Sequence, residues 1–233
     1  MKNKIPFEGL LLFFVLFFPA IYASGFSERL EPVETIPFST IRELARTLTY
    51  SLPSLVLLWY LVSDRGLAKN KSFFPFINKN NHKCLRKKDF FTFAVCLPGL
   101  IIINISVSTL FSIISQAYGY ALPPRIEAPG NALGWIAMVL SCLGTGYLEE
   151  SYFRYYLLSK LRRTLPKPIV RVFLSAFLFS ICHMYEGPWG VLNAALAGIF
   201  LSVLFLRYRS LHGIALAHAA HNMFVYTMGI FAP

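Results

Sequence analysis

Six long runs without a charged residue constrain this chain more than any other feature of its sequence. They cover 9–27, 47–63, 90–124, 130–148, 187–206 and 210–233. A helix that crosses a bilayer needs about 20 predominantly apolar residues, and each run is close to or above that length. We therefore expect a membrane protein with several spanning helices.

The composition of the chain agrees with this expectation. Only 14% of the 233 residues are charged, whereas 56% are hydrophobic. Because a soluble domain usually carries about 25% charged residues, a water-soluble globule is excluded, together with disorder and a collagen-like fibre. The predicted fold class is all-α, a polytopic transmembrane helix bundle with about seven spans.

The predicted spans follow from the apolar runs and from local helix signals. We expect them at about 7–24, 47–63, 90–116, 133–159, 169–185, 188–206 and 211–231. The stretch Thr40–Glu43 reads T-I-R-E and fits a capping box, so a helix should begin there and lead into the second span. Residues 1–23 also fit a cleaved signal peptide, with a basic start, an apolar core and a small residue at Ala23. Cleavage would leave six spans.

The basic residues are distributed unevenly between the predicted loops. Seventeen of the 22 fall on alternate loops, counted from the N-terminus. The positive-inside rule then places the N-terminus in the cytoplasm and the C-terminus outside. We read the formal net charge of +11 as a topology signal. The expected partner is the bilayer, with no nucleic acid, and the expected location is the cell (inner) membrane.

Ionisable side chains inside the spans are the candidates for function. Each costs about 2.5–3.5 kcal/mol or more to insert, so its presence is a functional hypothesis by default. At about 1.5 Å of rise per residue, Glu149 lies about 17 Å from Lys160, at the basic end of its span. By the same measure His183 lies about 18 Å from Arg171, and His218 and Asn222 about 14 and 20 Å from the basic end of the last span. All four should lie near the middle of the membrane.

The two adjacent acids of the fourth span differ in their helical partners. Glu150 and Arg154 are spaced i,i+4, which favours an ion pair. Glu149 points about 100° away and has no such partner, and a buried unpaired carboxylate suits a general base. The alternative is that neighbouring helices hold both acids for structural reasons.

The histidines allow a catalytic and a structural interpretation. His218 and Asn222 share one helix face, and both can donate hydrogen bonds to a developing oxyanion. Such side chains also join helices to each other in membranes, and His183 alone is more typical of helix packing. His221 lies near the same face, where we expect a supporting role. The four cysteines lie singly and predict neither a disulfide framework nor a zinc knuckle.

Three motifs on successive spans together resemble one family. They are E-E-x-x-x-R (Glu149, Glu150, Arg154), F-x-x-x-H (Phe179, His183) and H-x-x-x-N (His218, Asn222). In this combination the chain resembles the CPBP family, the type II CAAX prenyl endopeptidases and bacteriocin-processing or immunity proteins also called the ABI family. The resemblance divides the chain into N-terminal transmembrane helices over 1–129, with a basic cytoplasmic loop at 64–89, and a catalytic domain over 130–233. No motif in residues 1–129 can be transferred.

The resemblance implies an intramembrane endopeptidase whose active site lies in the membrane core. Glu149 and His183 would hold and activate a water, and His218 and Asn222 would stabilise the oxyanion. The implied supporting residues are Glu150, Arg154, Phe179 and His221. The substrate would be a membrane-associated protein or peptide, and a prenylated C-terminal tail is the best-known substrate of the family.

Three alternatives stay open at this point. A zinc enzyme would use Glu149, His183 and His218 as ligands, but neither H-E-x-x-H nor H-x-x-E-H is present, and the resemblance favours a site without a cofactor. A catalytically idle member would act as an immunity or scaffold protein. A proton-coupled transporter would show interrupted helices in two matching halves, and the sequence has no such symmetry.

Overall fold

The computed structural model describes residues 4–25, 35–64, 85–119, 125–162 and 164–228. Nearly all of them are helical, as the sequence predicted. The exception besides turns is a pair of two-residue strands, β1 (Thr35–Ile36) and β2 (Arg125–Ile126), which run parallel. This small pair joins the segment before the second predicted span to the segment before the fourth.

The helices of the described residues follow the order of the apolar runs. They are α1 (Lys4–Gly25), α2 (Thr40–Arg46), α3 (Leu52–Asp64), α4 (Lys87–Tyr118), α5 (Ala132–Glu150), α6 (Leu158–Leu161), α7 (Pro168–Ile181), α8 (Gly187–Tyr208) and α9 (Leu211–Met228). The π-helical segment Thr47–Ser51 connects α2 to α3, and Ser151–Leu157 connects α5 to α6. A 3₁₀ turn over Met184–Glu186 precedes α8.

Within the described residues, three helical stretches are long and apolar enough to cross a membrane. They are Lys87–Tyr118, Ala132–Leu161 and Met184–Tyr208, and two shorter apolar helices cover Phe7–Phe18 and Pro168–Ile181. Large apolar side chains on their outer faces are exposed, as expected of surfaces that meet lipid. The chain is a membrane protein, whereas the count of seven spans and the orientation stay predictions.

The structure differs from the predicted boundaries at the fifth span. We expected a helix over 169–185, but α7 ends at Ile181, and His183 lies in the turn that follows. The chain reverses into α8 at Gly187, whose φ of 80° is costly for any residue with a Cβ. Because the reversal needs these residues, the helix cannot continue to 185. The segments 65–84 and 229–233, with most of the basic loop and the end of the last predicted span, lie outside the described residues.

The start of α2 confirms the predicted helix but corrects its cap. The helix begins at Thr40, and the N-cap is Ser39, whose Oγ accepts a hydrogen bond from the backbone N–H of Arg42. Glu43 is buried, and its Oε2 accepts a hydrogen bond of 2.6 Å from Ser141 Oγ on α5. The predicted capping box was therefore wrong by one residue, because Glu43 serves a contact between helices.

Glycines allow the helices that carry the motifs to approach closely. A Cβ added at Gly146 on α5 would lie 2.9 Å from the carbonyl oxygen of Ala215 on α9. Small residues at such crossings are the usual way in which helix backbones meet in membranes. Gly146 precedes Glu149 by about one helical turn, and Ala215 precedes His218 by the same interval. This crossing therefore brings the acidic motif to the level of the H-x-x-x-N motif.

Helix α1 packs against the chain that follows the two glutamates. Tyr152 Oη donates a hydrogen bond of 2.6 Å to the carbonyl oxygen of Gly9, and Tyr156 Oη donates one of the same length to Glu8 Oε1. Phe13 and Phe17 are buried in the same core. Removal of residues 1–23 by a signal peptidase would take this packing away.

Candidate active site

Four predicted site residues line one cavity between α5, the turn after α7, and α9. These residues are Glu149, His183, His218 and Asn222. The side chain of Glu149 is 14% exposed, so its carboxylate is accessible from the cavity. The structure therefore brings together side chains that are up to 73 residues apart in the sequence.

The second glutamate lies on the closed side of this cavity. Glu150 and Arg154 are both fully buried, and Arg154 Nη1 lies 3.1 Å from Glu150 Oε1. The same carboxylate oxygen lies 2.8 Å from His218 Nδ1. Glu150 is thus shared between a guanidinium and an imidazole, which goes beyond the i,i+4 ion pair that the sequence predicted.

Phe179, the phenylalanine of the F-x-x-x-H motif, covers the buried guanidinium. The Arg154 Cζ atom lies 4.3 Å from the centroid of the Phe179 ring and 5.7 Å from that of Phe153. The Phe179 ring also contacts the imidazoles of His183 and His218, with centroid distances of 4.7 and 6.0 Å. Cation–π attraction is strongest where the cation is desolvated, as it is here. The phenylalanine of the motif therefore packs against the cation of Arg154 and against both imidazoles.

A hydrogen bond fixes the tautomer of His183. Its Nδ1 lies 2.9 Å from the carbonyl oxygen of Phe179. Because a carbonyl oxygen only accepts, Nδ1 carries the hydrogen, and a neutral ring keeps its lone pair on Nε2. His183 is half-buried and lines the cavity, so it can accept a hydrogen bond from a molecule there.

The ring of His218 lies between the two glutamates. Its Nδ1 faces Glu150 Oε1 at 2.8 Å, and its Nε2 lies 3.7 Å from Glu149 Oε2. Glu150 therefore orients the ring so that Nε2 points to the cavity. Asn222 lies one turn further along α9 and lines the same cavity.

Sequence reasoning missed a residue of the N-terminal region that lines this cavity. Arg46, at the end of α2, contributes to the lining, although no function was predicted for residues 1–129. Its Nη2 donates a hydrogen bond of 2.7 Å to Ser141 Oγ and lies 2.8 Å from Glu43 Oε2. The available signal was a cation that directly precedes a predicted span and follows Glu43 by three residues.

His221 lies at a different cavity from Glu149. It lines a second cavity, which His183, His218 and Asn222 also line. Asn104, Glu186 and Asn193 also contribute to that lining. The two asparagines stand inside charge-free runs, where a polar amide is expensive, and this signal could have found them.

The side chains around the cavity include the ligands that a zinc site would use. In the described part of the chain, no group of three or more His, Cys, Asp or Glu side chains is placed to hold a metal ion. The trio that a zinc enzyme would use, Glu149, His183 and His218, lines one cavity without forming such a group.

Comparison with known proteins gives one match. A family model described as type II CAAX prenyl endopeptidase, Rce1-like, matches residues 131–224. This segment contains all three motifs, so the resemblance to the CPBP family is confirmed. No curated protein and no solved structure matches the chain.

Proposed function

We propose that this chain, whose residues 131–224 form an Rce1-like domain of the type II CAAX prenyl endopeptidase family, is an intramembrane peptide hydrolase. The observation that carries the proposal is the shared cavity of Glu149, His183, His218 and Asn222. A general base, a hydrogen-bond acceptor and two donors around one space are what hydrolysis by an activated water requires.

The open carboxylate activates the water in this mechanism. A water between Glu149 and His183 donates one hydrogen bond to the carboxylate and one to His183 Nε2. As the water oxygen attacks the carbonyl carbon of the substrate, its proton passes to Glu149. His183 keeps the water in place because its Nδ1–H is already bound to Phe179.

The last helix stabilises the tetrahedral intermediate. The carbonyl oxygen of the substrate becomes an oxyanion, which receives hydrogen bonds from Asn222 and from His218 Nε2. For Nε2 to donate, the His218 ring must carry a proton on both nitrogens. The Glu150 carboxylate, 2.8 Å from Nδ1, stabilises that cation and makes Glu150 a positioning residue.

The final step returns the proton. When the intermediate collapses, the bond between carbon and nitrogen breaks, and Glu149 gives its proton to the leaving amine. The collapse yields a carboxylic acid and an amine, and the acid then gives its proton to the amine. The released products are a carboxylate and an ammonium group, and Glu149 is ionised again for the next water. In this mechanism the chain's own side chains supply all the groups, as in a glutamate-type endopeptidase that needs no metal.

The proposed setting is a multi-pass protein with a cytoplasmic N-terminus and its site in the membrane core. The substrate is a membrane-associated protein or peptide, and a prenylated tail is the first to test. The setting has its own test, in which single cysteines are placed at 70–85 and at 125–130. A reagent that cannot cross the membrane should label these two segments from opposite sides, and labelling from one side would contradict the topology.

A proteolysis assay tests the function. The purified protein is incubated with a detergent-solubilised membrane proteome, and new peptide ends are identified by mass spectrometry. Wild type should generate ends that Glu149→Ala does not, whereas the exposed-carboxylate control Glu127→Ala should match wild type. Identical ends from wild type and Glu149→Ala would contradict the proposal and favour an idle immunity or scaffold protein.

A further inference from the structure

The second cavity carries polar atoms that the proposed mechanism does not use. Its lining comes from α4, α7, α8 and α9 and from the turn between α7 and α8. His183, His218 and Asn222 line both cavities, so the two meet at the groups that would surround the reacting carbonyl. Whatever occupies the second cavity therefore lies beside the peptide bond in the first.

Four buried atoms on this lining have no hydrogen-bond partner among the described residues. They are Asn104 Oδ1, Glu186 Oε1, Asn193 Oδ1 and His221 Nε2. Asn104 is only 3% exposed and His221 only 8%. A buried polar group without a partner costs about 1–3 kcal/mol. A ligand in this cavity that donates hydrogen bonds to these four atoms would remove that cost.

The chemistry of these atoms defines that ligand. Amide and carboxylate oxygens only accept hydrogen bonds, and an imidazole nitrogen can accept one, so the ligand must donate. Glu186 adds a carboxylate, which favours a positive charge. A lysine or arginine side chain offers three or five donors and no acceptor. An aliphatic side chain would leave all four atoms buried and unpaired.

The local backbone places the carboxylate of Glu186 at this cavity. Glu186 ends the 3₁₀ turn, and the positive φ of Gly187 directs the chain into α8. A Cβ at Gly190 would lie only 2.6 Å from Glu186 Oε2. The glycine at 190 therefore leaves the space in which the glutamate folds back over the first turn of α8.

We propose that the second cavity is a specificity subsite for a lysine or arginine side chain of the substrate, next to the scissile bond. The proposal rests on the function proposed above. It adds that the enzyme chooses its substrates by a basic side chain as well as by their association with the membrane. The residues that carry it are Asn104, Glu186, Asn193 and His221. The enzyme would cleave at a fixed distance from a basic residue.

Binding to a variant that cannot hydrolyse tests the subsite without turnover. Fluorescent N-palmitoyl polyalanine peptides carry lysine, norleucine or glutamine at each position in turn, and they are titrated onto the Glu149→Gln protein in micelles by anisotropy. At one position lysine should bind about tenfold tighter than norleucine, the ratio expected of one charge-assisted hydrogen bond. Adding Glu186→Gln should reduce the ratio to below about twofold.

Matched variants distinguish an effect on the subsite from the effect of removing a carboxylate elsewhere on the protein. Glu127→Gln, which removes an exposed carboxylate, should keep the tenfold ratio. Asn193→Leu removes an orphan oxygen without touching Glu186, and it should also lower the ratio. Equal binding of lysine and norleucine at every position would overturn the subsite. Glutamine binding as tightly as lysine would overturn its cationic character.

Hydrolysis of the same peptides by wild type distinguishes the two proposals. A lysine preference in binding without cleavage of any peptide contradicts the proposed function and supports the subsite. Cleavage that is equally fast for lysine and norleucine at all positions supports the function and overturns the subsite. Cleavage that is about tenfold faster for lysine at one position, and not in Glu186→Gln, supports both.

Discussion

Two neighbouring regions of the polar site differ in how accessible their side chains are. On the closed side, formed by Glu150, Arg154 and Phe179, the two charges form an ion pair, and both of its members are fully buried. On the open side, formed by Glu149, His183 and Asn222, the side chains line a cavity. Consecutive residues of a helix point about 100° apart, so one E-E pair can serve both sides. Of the two adjacent glutamates, Glu150 is therefore held in a buried ion pair, whereas Glu149 is accessible from the cavity.

The largest expected effect on stability comes from unbalancing the closed side. Glu150→Gln leaves Arg154 charged and uncompensated, and breaking a buried pair from one side costs about 3–5 kcal/mol. We expect the free energy of unfolding in detergent to fall by that amount. The double variant Glu150→Gln/Arg154→Gln removes both charges and should recover most of the loss. Unfolding that is unchanged in the single variant would show that the pair does not hold the site.

Asn222→Ala tests the donor on the open side. Loss of one oxyanion donor typically lowers kcat by about 10²–10³-fold, because the bond forms only in the transition state. We expect that decrease with little change in KM. Thr227→Ala, an exposed position on the same helix, is the matched control and should keep wild-type rates. A rise in KM at constant kcat would instead make Asn222 a binding residue.

Phe179→Leu tests the aromatic cover of the closed side with a smaller effect. A desolvated cation–π contact contributes about 2 kcal/mol, so unfolding should become easier by about that amount. Phe177→Leu on the same helix, where the ring is 61% exposed, should change stability by less than about 0.5 kcal/mol. Equal effects of the two substitutions would mean that Arg154 gains nothing from the ring.

The smallest expected effect is that of a chelator. If Glu149 and His183 activate water without a metal, turnover should be unchanged after exhaustive dialysis against a chelator and then against a metal-free buffer. A loss of activity that added zinc restores would overturn the metal-free mechanism. Glu149 and His183 would then be metal ligands, and Glu149 would no longer be the general base.

The sequence predicted the helical class, and it singled out residues that the structure places on the two sides of the site, whereas their catalytic roles stay predictions. Charge is expensive in lipid, so the apolar runs located the helices, and the few ionisable residues within them stood out. The i,i+4 spacing predicted the pair of Glu150 and Arg154, which the structure contains. Glu149 was set apart by the same argument.

Contacts between segments that are distant in the sequence could not be predicted from the spacing of residues along the chain. The hydrogen bond between Glu150 and His218 depends on the crossing of α5 and α9. The small residues Gly146 and Ala215 permit that crossing, but the sequence alone does not show that the two helices meet there. The place of Arg46 at the cavity depends on how α2 packs against α5. The turn that holds His183 was predicted as helix, because the apolar residues of the fifth span continue past Ile181, where α7 ends.

The most direct test of the central claim is Glu149→Gln, measured for both turnover and unfolding in the same detergent. An amide fits the same space but cannot take a proton from water. We expect hydrolysis to fall by about 10²–10⁴-fold. The free energy of unfolding should stay within about 0.5 kcal/mol of wild type. Turnover that survives the substitution, or that is lost only together with the fold, would contradict the assignment of Glu149 as the general base.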